Sequence, residues 1–259
     1  MEKYAGTQAI ARTFTLINLF DDKRPFWSLP DLIKQSGLKR TTVFRIMSAL
    51  EAEGVIRKNE FGDYALGSKL IALGGRAIRS NPLRTVAQPF LKKIVQETAE
   101  SATIDILWID EEGQPISLVI EEVLGQYLLG MSQFIGARFP AHTTSTGKVL
   151  LAFTANPPLP NDPITQYTNN SIKSVETLLA ELQTVRQQGY ATTINELEVG
   201  LSAVAAPIFN LHGEVHAALC IGGPSSRISE EKRPLLAQTV MKYADEISLA
   251  MGYEAEREA

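Results

Sequence analysis

The sequence predicts an α+β protein in two parts: a small helical front with one β-hairpin, and a larger back in which strands come in runs with helices around them. Three observations predict it. Apolar residues recur at helical spacing in the front, they alternate with polar ones from position 101 onward, and the charge divides along the chain. Residues 1–80 hold 13 Lys+Arg against 8 Asp+Glu and the remainder 12 against 21, so a front of +5 is joined to a back of −9 within a net charge of −4. Such a division suits a polyanionic partner for the front and a separate task for the back.

Taken in order, Ile10, Phe14, Ile17 and Phe20 carry a first helix, with Arg12 on its exposed side. In "SLPDLIKQSG", Ser28 is placed to cap a short helix with Asp31 three residues on, Pro30 in the first turn and Gly37 past the end. In "GLKRTTVFRIMSALEAEG", residues 37–54, the apolar Val43, Ile46, Met47 and Leu50 fall at i, i+3, i+4 and i+7. That is a helix of about three or four turns, with Arg40, Thr41, Arg45 and Ser48 on other faces. Two helices joined by a short turn containing Gly match a helix-turn-helix, whose second helix enters the DNA major groove by its N-terminal residues, here Lys39, Arg40, Thr41 and Thr42. The stretch "VIRKNEFGDYALG" then predicts a hairpin, Val55 to Lys58 and Phe61 to Leu66 around Asn59 and Gly62, in the position of a wing.

The chemistry fits duplex DNA. The guanidinium of Arg45 can pair bidentately with guanine, Thr41 and Thr42 suit phosphates or base edges, and Arg57 and Lys58 would meet the flanking backbone. The competing explanation is the wet face of an ordinary amphipathic helix; the hairpin and the charge division favour DNA.

Residues 68–80 predict a linker helix, weakened by Gly74 and Gly75. Helical spacing resumes in "NPLRTVAQPFLKKIVQETAE", where Pro82 sits at a helix start. The expected divisions are therefore a DNA-binding domain over 1–67, the linker helix over 68–80, and a binding and oligomerisation domain over 81–259. "SATIDILWID", "QPISLVIEEV" and "QYLLGMSQFIG" read as an antiparallel meander, and "SAVAAPIFNLHGEVHAALCIGG" as two more strands around Asn210 to Gly213. A last helix carries Leu235, Leu236, Val240, Tyr243 and Ile247, and "TANPPLPNDPITQYTNN" is an irregular loop.

The chemically suggestive stretch of the back is "GARFPAHTTSTGKVLLAF". Four consecutive hydroxyl residues, Thr143 to Thr146, precede Gly147 and an apolar helix, so first-turn N–H groups and hydroxyls converge where a carboxylate or phosphate would be welcome. The alternative is that one of them merely caps the helix. Catalytic and metal readings are weak. Thr143 stands where a G-x-S-x-G elbow needs glycine, there is no glycine-rich phosphate loop, and His142, His212, His216 and Cys220 lack metal-ligand spacing. Glu196 and Glu198 are i, i+2 neighbours that would usually face solvent, and Cys220 reads as a small apolar filler. No enzyme, cofactor or metal is expected. With no apolar run of about 18 residues, no signal-peptide layout at the start and one cysteine, the expected setting is the cytoplasm, away from membranes.

In several of these stretches the chain resembles the IclR family of bacterial transcriptional regulators, over nearly its whole length. The front resembles the family's winged helix-turn-helix in "GLKRTTVFRIMSALEAEGVIRK". The back resembles its effector domain in "GARFPAHTTSTGKVLLAF", "VRQQGYATTINELEVGLSAVAAPIFNLHGEV" and "AALCIGGPSSRIS". The resemblance implies a GAF-like effector domain, a homodimer or tetramer, a pseudo-palindromic double-stranded operator, and repression or activation controlled by a small organic acid, keto, sugar or aromatic. It also implies that Arg12, Thr41, Thr42 and Arg45 match the DNA-contacting positions. The effector pocket would include the loop Ala141, His142, Thr143, Thr144, Ser145, Thr146 and Gly147, and a side of the sheet bearing Glu196, Glu198, Leu201, Ala206 and Cys220. One departure from the family pattern is four hydroxyls in a row, which leaves room for a more hydroxylated ligand. The expected function is a ligand-responsive DNA-binding regulator. The rival is a ligand-binding module or an enzyme acting on a small acid, with the helix-turn-helix serving protein contacts.

Overall fold

A computed structural model of the chain describes residues 7–21, 23–127 and 135–254. They fall into two compact units, Met1–Ser80 and Asn81–Ala259. None of the described helices is long and apolar enough to cross a membrane.

The first unit is three helices, a two-stranded sheet and a fourth helix: α1 (Gln8–Ile17), α2 (Leu29–Ser36), α3 (Arg40–Ala52), β1 (Ile56–Lys58), β2 (Tyr64–Leu66) and α4 (Ser68–Arg79). Its local signals work as their chemistry requires. The Ser28 hydroxyl accepts the amide of Asp31, and Gly37 ends α2 at φ +66°, a left-handed turn that costs glycine little. The core comprises Leu16, Phe20, Trp27, Leu32, Val43, Met47, Ile56 and Tyr64. Two expectations change. Ile10 and Phe14 are 52% and 54% exposed while Leu16 and Phe20 are buried, because α1 packs through the side bearing Leu16 and, among the described residues, its other apolar side stays half exposed. Phe61 is 88% exposed in the turn of the hairpin, so β2 begins at Tyr64, where Trp27 pairs with it as an isolated bridge. On α4 no residue is buried, and Ile71 and Leu73 are exposed.

The second unit is a six-stranded antiparallel sheet with helices on both faces. Its elements are α5 (Pro82–Thr98), β3 (Ser101–Ile109), β4 (Pro115–Val123), β5 (Arg138–Pro140), a 3-10 turn (Ala141–Thr143), α6 (Ser145–Phe153), α7 (Val175–Gln188), β6 (Ala191–Ile194), β7 (Leu201–Phe209), β8 (Val215–Pro224) and α8 (Arg233–Ala250). The strand order is β5-β4-β3-β8-β7-β6. Two meanders therefore join through the β3–β8 pair. The strand expected in "QYLLGMSQFIG" falls mostly outside the described residues. Among those described, the loop 154–170 holds no helix or strand, as its four prolines anticipate.

Because both sheet faces are covered, alternate residues of each strand enter different cores. Ala102, Ile104, Val204, Ala206, Leu219 and Ile221 pack with α5 and α8; Ala205, Ala218 and Cys220 pack with α6 and α7. A register shift interrupts the β3–β4 ladder at Ile104/Asp105, leaving Ile120 unpaired between Val119 and Glu121. Such a bulge resets which way the following side chains point. Val119 stays on the side of Asp105, while Glu121 leaves it and pairs with Arg84 of α5.

Candidate functional site

Two surfaces collect the chemistry, one in each unit. In the first, α3 starts at Arg40 with Lys39 at its N-cap position and no side chain capping it. A helix start of this kind, with the Thr42 amide closed onto the Lys39 carbonyl, earlier amides outside the helical ladder and two cations beside it, suits an anionic phosphate. Arg12 and Thr13 of α1 and Thr41, Thr42 and Arg45 of α3 line one open groove of ≈ 450 Å³. Arg12 is steadied by a 3.1 Å hydrogen bond to Gln8 Oε1. Lys39, Arg40, Arg45 and Arg57 are exposed and carry no ion pair among the described residues. Lys58 differs: its ammonium donates to Glu51 Oε2 at 2.8 Å, which pushes its pKa up, so it must leave that carboxylate to meet a phosphate. The sequence reading missed Phe44, 54% exposed on α3, an apolar side chain of the type that touches a thymine methyl.

In the second unit a cavity of ≈ 120 Å³ opens between the start of α6, the sheet and the β6–β7 loop. Thr143, Thr144, Ser145 and Thr146 line it together with Thr103, Asp105, Val119, Phe139, Thr193, Glu196, Leu197, Glu198, Leu201, Ala203 and Cys220. Thr144 is also the cap of α6, its Oγ1 accepting the Gly147 amide at 3.0 Å, and Thr143 Oγ1 donates to the Pro140 carbonyl at 2.8 Å. At the floor lies Asp105, 3% exposed. Thr103 donates to its Oδ1 at 2.7 Å, and Ser117 and Thr146 to its Oδ2 at 2.9 and 2.8 Å. Burial raises its pKa and the three hydroxyls oppose the rise.

The family of IclR helix-turn-helix domains matches residues 9–60, and that of the bacterial transcriptional regulator IclR C-terminal domain matches residues 75–249. The chain belongs to the IclR family of bacterial transcriptional regulators. The transcriptional repressor IclR of Escherichia coli (strain K12) is 28% identical to it over 255 residues, covering 95% of this chain and 90% of the relative. The crystal structure of an IclR transcriptional regulator from Alicyclobacillus acidocaldarius is 25% identical with a TM-score of 0.79, covering 96% of this chain and 100% of that one. At 21% identity, an IclR homolog from Microbacterium hydrocarbonoxydans complexed with 4-hydroxybenzoate shares the fold, with a TM-score of 0.74 over 94% of this chain and 98% of that one. Relatives are named as transcriptional repressors and regulators rather than enzymes.

Within this IclR-family regulator the residues singled out in the sequence separate into two groups. Thr143, Thr144, Ser145, Thr146, Glu196, Glu198, Leu201 and Cys220 line the cavity. Ala141, His142, Gly147 and Ala206 do not. Gly147 lies so close to Ala141 that a Cβ there would overlap the Ala141 backbone, so the pair is a packing requirement. His142 turns to a neighbouring cleft with Asp110 and Tyr167, where its Nε2 is 3.0 Å from the Thr165 carbonyl and burial lowers its pKa. Ala206 faces the core against α5 and α8, since odd and even residues of β7 enter opposite cores, and Ala203 and Leu201 occupy the cavity side instead.

Glu196 does not face solvent. It contacts the fully buried ammonium of Lys148 on α6 through Oε1 at 2.8 Å and Oε2 at 2.7 Å, and Lys148 also reaches Glu181 of α7 at 2.5 Å. Burial raises the Glu196 pKa against the opposing pull of Lys148. Cys220 is a filler: burial pushes its thiol up to about 12, too high to give a thiolate near neutrality. The sequence reading passed over Asp105 and Lys148, although a charge set inside an apolar run, as in "SATIDILWI" and "TGKVLLAF", was the available signal.

Proposed function

We propose that this IclR-family DNA-binding regulator is ligand-responsive: the first unit grips an operator in duplex DNA and the cavity of the second takes a small organic acid, keto, sugar or aromatic. The observation that carries the DNA half is the groove shared by Arg12, Thr41, Thr42 and Arg45, beside a helix start flanked by cations without ion pairs. Arg45 reads a base edge; Arg12, Lys39, Arg40, Arg57 and Lys58 hold phosphates, which position the helix without reading sequence. The acid half is supported by the first-turn amides of α6 among hydroxyls, and by the acid held in the Microbacterium homolog.

The protein works as a homodimer, or a pair of them. Ile10 and Phe14 on α1 and Ile71 and Leu73 on α4 leave two exposed apolar sides that a second copy would cover. Two copies place two α3 helices on half-sites about one helical turn of DNA apart, or a multiple of it. For an acid to switch the operator on or off it must bind the DNA-competent and incompetent arrangements with different affinity.

The test is fluorescence anisotropy with DNA from upstream of the protein's own gene and with scrambled DNA, across several salt concentrations. Preference for the upstream fragment, reduced by Arg45→Ala, supports the reading. Equal binding to both fragments by wild type and variant, with no acid changing it, refutes it.

A further inference from the structure

Around the cavity, hydrogen-bonding capacity is left over at two places besides the α6 amides. The Asp105 carboxylate offers about four lone-pair positions. Three hydroxyls occupy three of them, two on Oδ2 and one on Oδ1, so Oδ1 has a position to spare. Across the cavity, Thr193 of β6 is 6% exposed, lines the same space, and its hydroxyl has no hydrogen-bond partner among the described residues. The hydroxyl therefore opens on the cavity, where an occupant can donate to it or accept from it.

The charges of the lining point the same way. Among the described residues no lysine, arginine or histidine lines the cavity, while Asp105, Glu196 and Glu198 do. Lys148, buried behind Glu196, is already held by two carboxylates. An occupant therefore meets unpaired positive potential only at the start of α6; elsewhere it meets the Asp105 and Glu198 carboxylates, which need donors, and hydroxyls, which can donate or accept. A second carboxylate on the ligand would face Asp105 with no cation in the lining to offset the repulsion.

We infer that the cavity selects a hydroxylated monocarboxylate: its carboxylate on the first-turn amides of α6, its hydroxyls on Asp105 Oδ1 and Thr193 Oγ1, with Asp105 excluding dicarboxylates and disfavouring acids that lack a hydroxyl. The β3–β4 bulge at Ile104/Asp105 keeps Asp105 and Val119 on the cavity side while turning Glu121 away, so the floor carries one carboxylate and not two. The inference rests on the organic-acid reading above and narrows it.

The experiment is isothermal titration calorimetry of the full chain with two length-matched sets, propanoate, lactate and malonate, then pentanoate, a five-carbon aldonate and glutarate, plus a neutral five-carbon polyol. The hydroxylated acid of at least one set binds about tenfold or more tighter than its unsubstituted partner, as a hydrogen bond to a charged group warrants, and the dicarboxylate of that set does not bind. Asp105→Ala abolishes the hydroxyl preference and Asp105→Asn admits the dicarboxylate. Thr193→Val, which removes a hydroxyl that folding does not use, weakens the hydroxylated acid several-fold and leaves the unsubstituted one unchanged. If pentanoate matches the aldonate and propanoate matches lactate, the inference falls while the organic-acid reading stands. If the polyol alone binds, and depends on Asp105, the acid reading falls and the carboxylate half of the inference with it. Silence from all seven compounds overturns both.

Discussion

Replacing Lys148 with methionine tests the most costly arrangement in the second unit. The methionine fills nearly the same volume, so the change removes a charge and little packing. Lys148 is fully buried; its partners differ, Glu196 with a side chain 12% exposed and Glu181 with one 35% exposed. Removing one member of a buried ion pair costs about 3–5 kcal/mol, because the other charge is left without compensation. Glu181 can turn into water and adds little, so the cost falls on Glu196 and the expected loss lies near the lower end, about 3 kcal/mol.

The loss depends on pH with a definite sign. Burial already raises the Glu196 pKa above the ordinary value of 4.5, and Lys148 is what pulls it down. Without the ammonium the folded value rises further. The destabilisation is then full above that value and is relieved as the pH falls through it towards 4.5, because the folded state takes up the proton first. The assay is urea unfolding followed by Trp108, which lies in β3, in a Trp27→Phe background that silences the first unit. With a slope of about 2 kcal/mol/M the midpoint drops by roughly 1.5 M at pH 7.5 and by less at pH 5. Lys148→Met/Glu196→Gln recovers more than half of the loss. A single-variant loss below about 1 kcal/mol, or a double variant no more stable than the single, refutes the view that a compensated buried charge holds α6 to the β6–β7 loop.

On the DNA side, Arg45→Ala lowers operator affinity by roughly 1–3 kcal/mol and relaxes sequence preference at one position, whereas Arg57→Ala weakens all sequences alike and reduces the salt slope by about 1, both read by anisotropy. Thr144→Ala removes the α6 cap and costs about 1 kcal/mol in urea unfolding, and with Ser145→Ala it blunts the response of DNA binding to the acid. Gly147→Ala, whose new methyl would enter the Ala141 backbone, yields little folded protein by circular dichroism. Asp105→Asn removes a carboxyl whose folded pKa lies above the ordinary value of 3.8. Ionised, that carboxyl is a cost that grows as the pH rises from 3.8 through the folded value, so the variant's stability relative to wild type increases over that window, as thermal melts at several pH values would register.

The sequence alone was enough for whatever depends on neighbours along the chain. The cap at Ser28, the stop at Gly37 and the stripe of Val43, Ile46, Met47 and Leu50 are settled within a few residues by backbone amides and helical spacing, and they led to the winged helix-turn-helix without any tertiary information. The hydroxyl run at Thr143 to Thr146 was legible for the same reason, and its cap is Thr144. Tertiary structure decided what depends on packing from a distance. Ile10 and Phe14 have helical spacing yet stay half exposed among the described residues, so spacing could not say that Leu16 would be buried in their place. Ala206 and Ala205 are alike as residues; only the sheet, covered on both faces, sends one to the α8 core and the other to the α6 core. Asp105, Lys148 and Glu196 stand 43 and 48 positions apart along the chain. Their roles arise where β3, α6 and the β6–β7 loop meet, because burying a charge is tolerated only where the fold brings donors or an opposite charge to it.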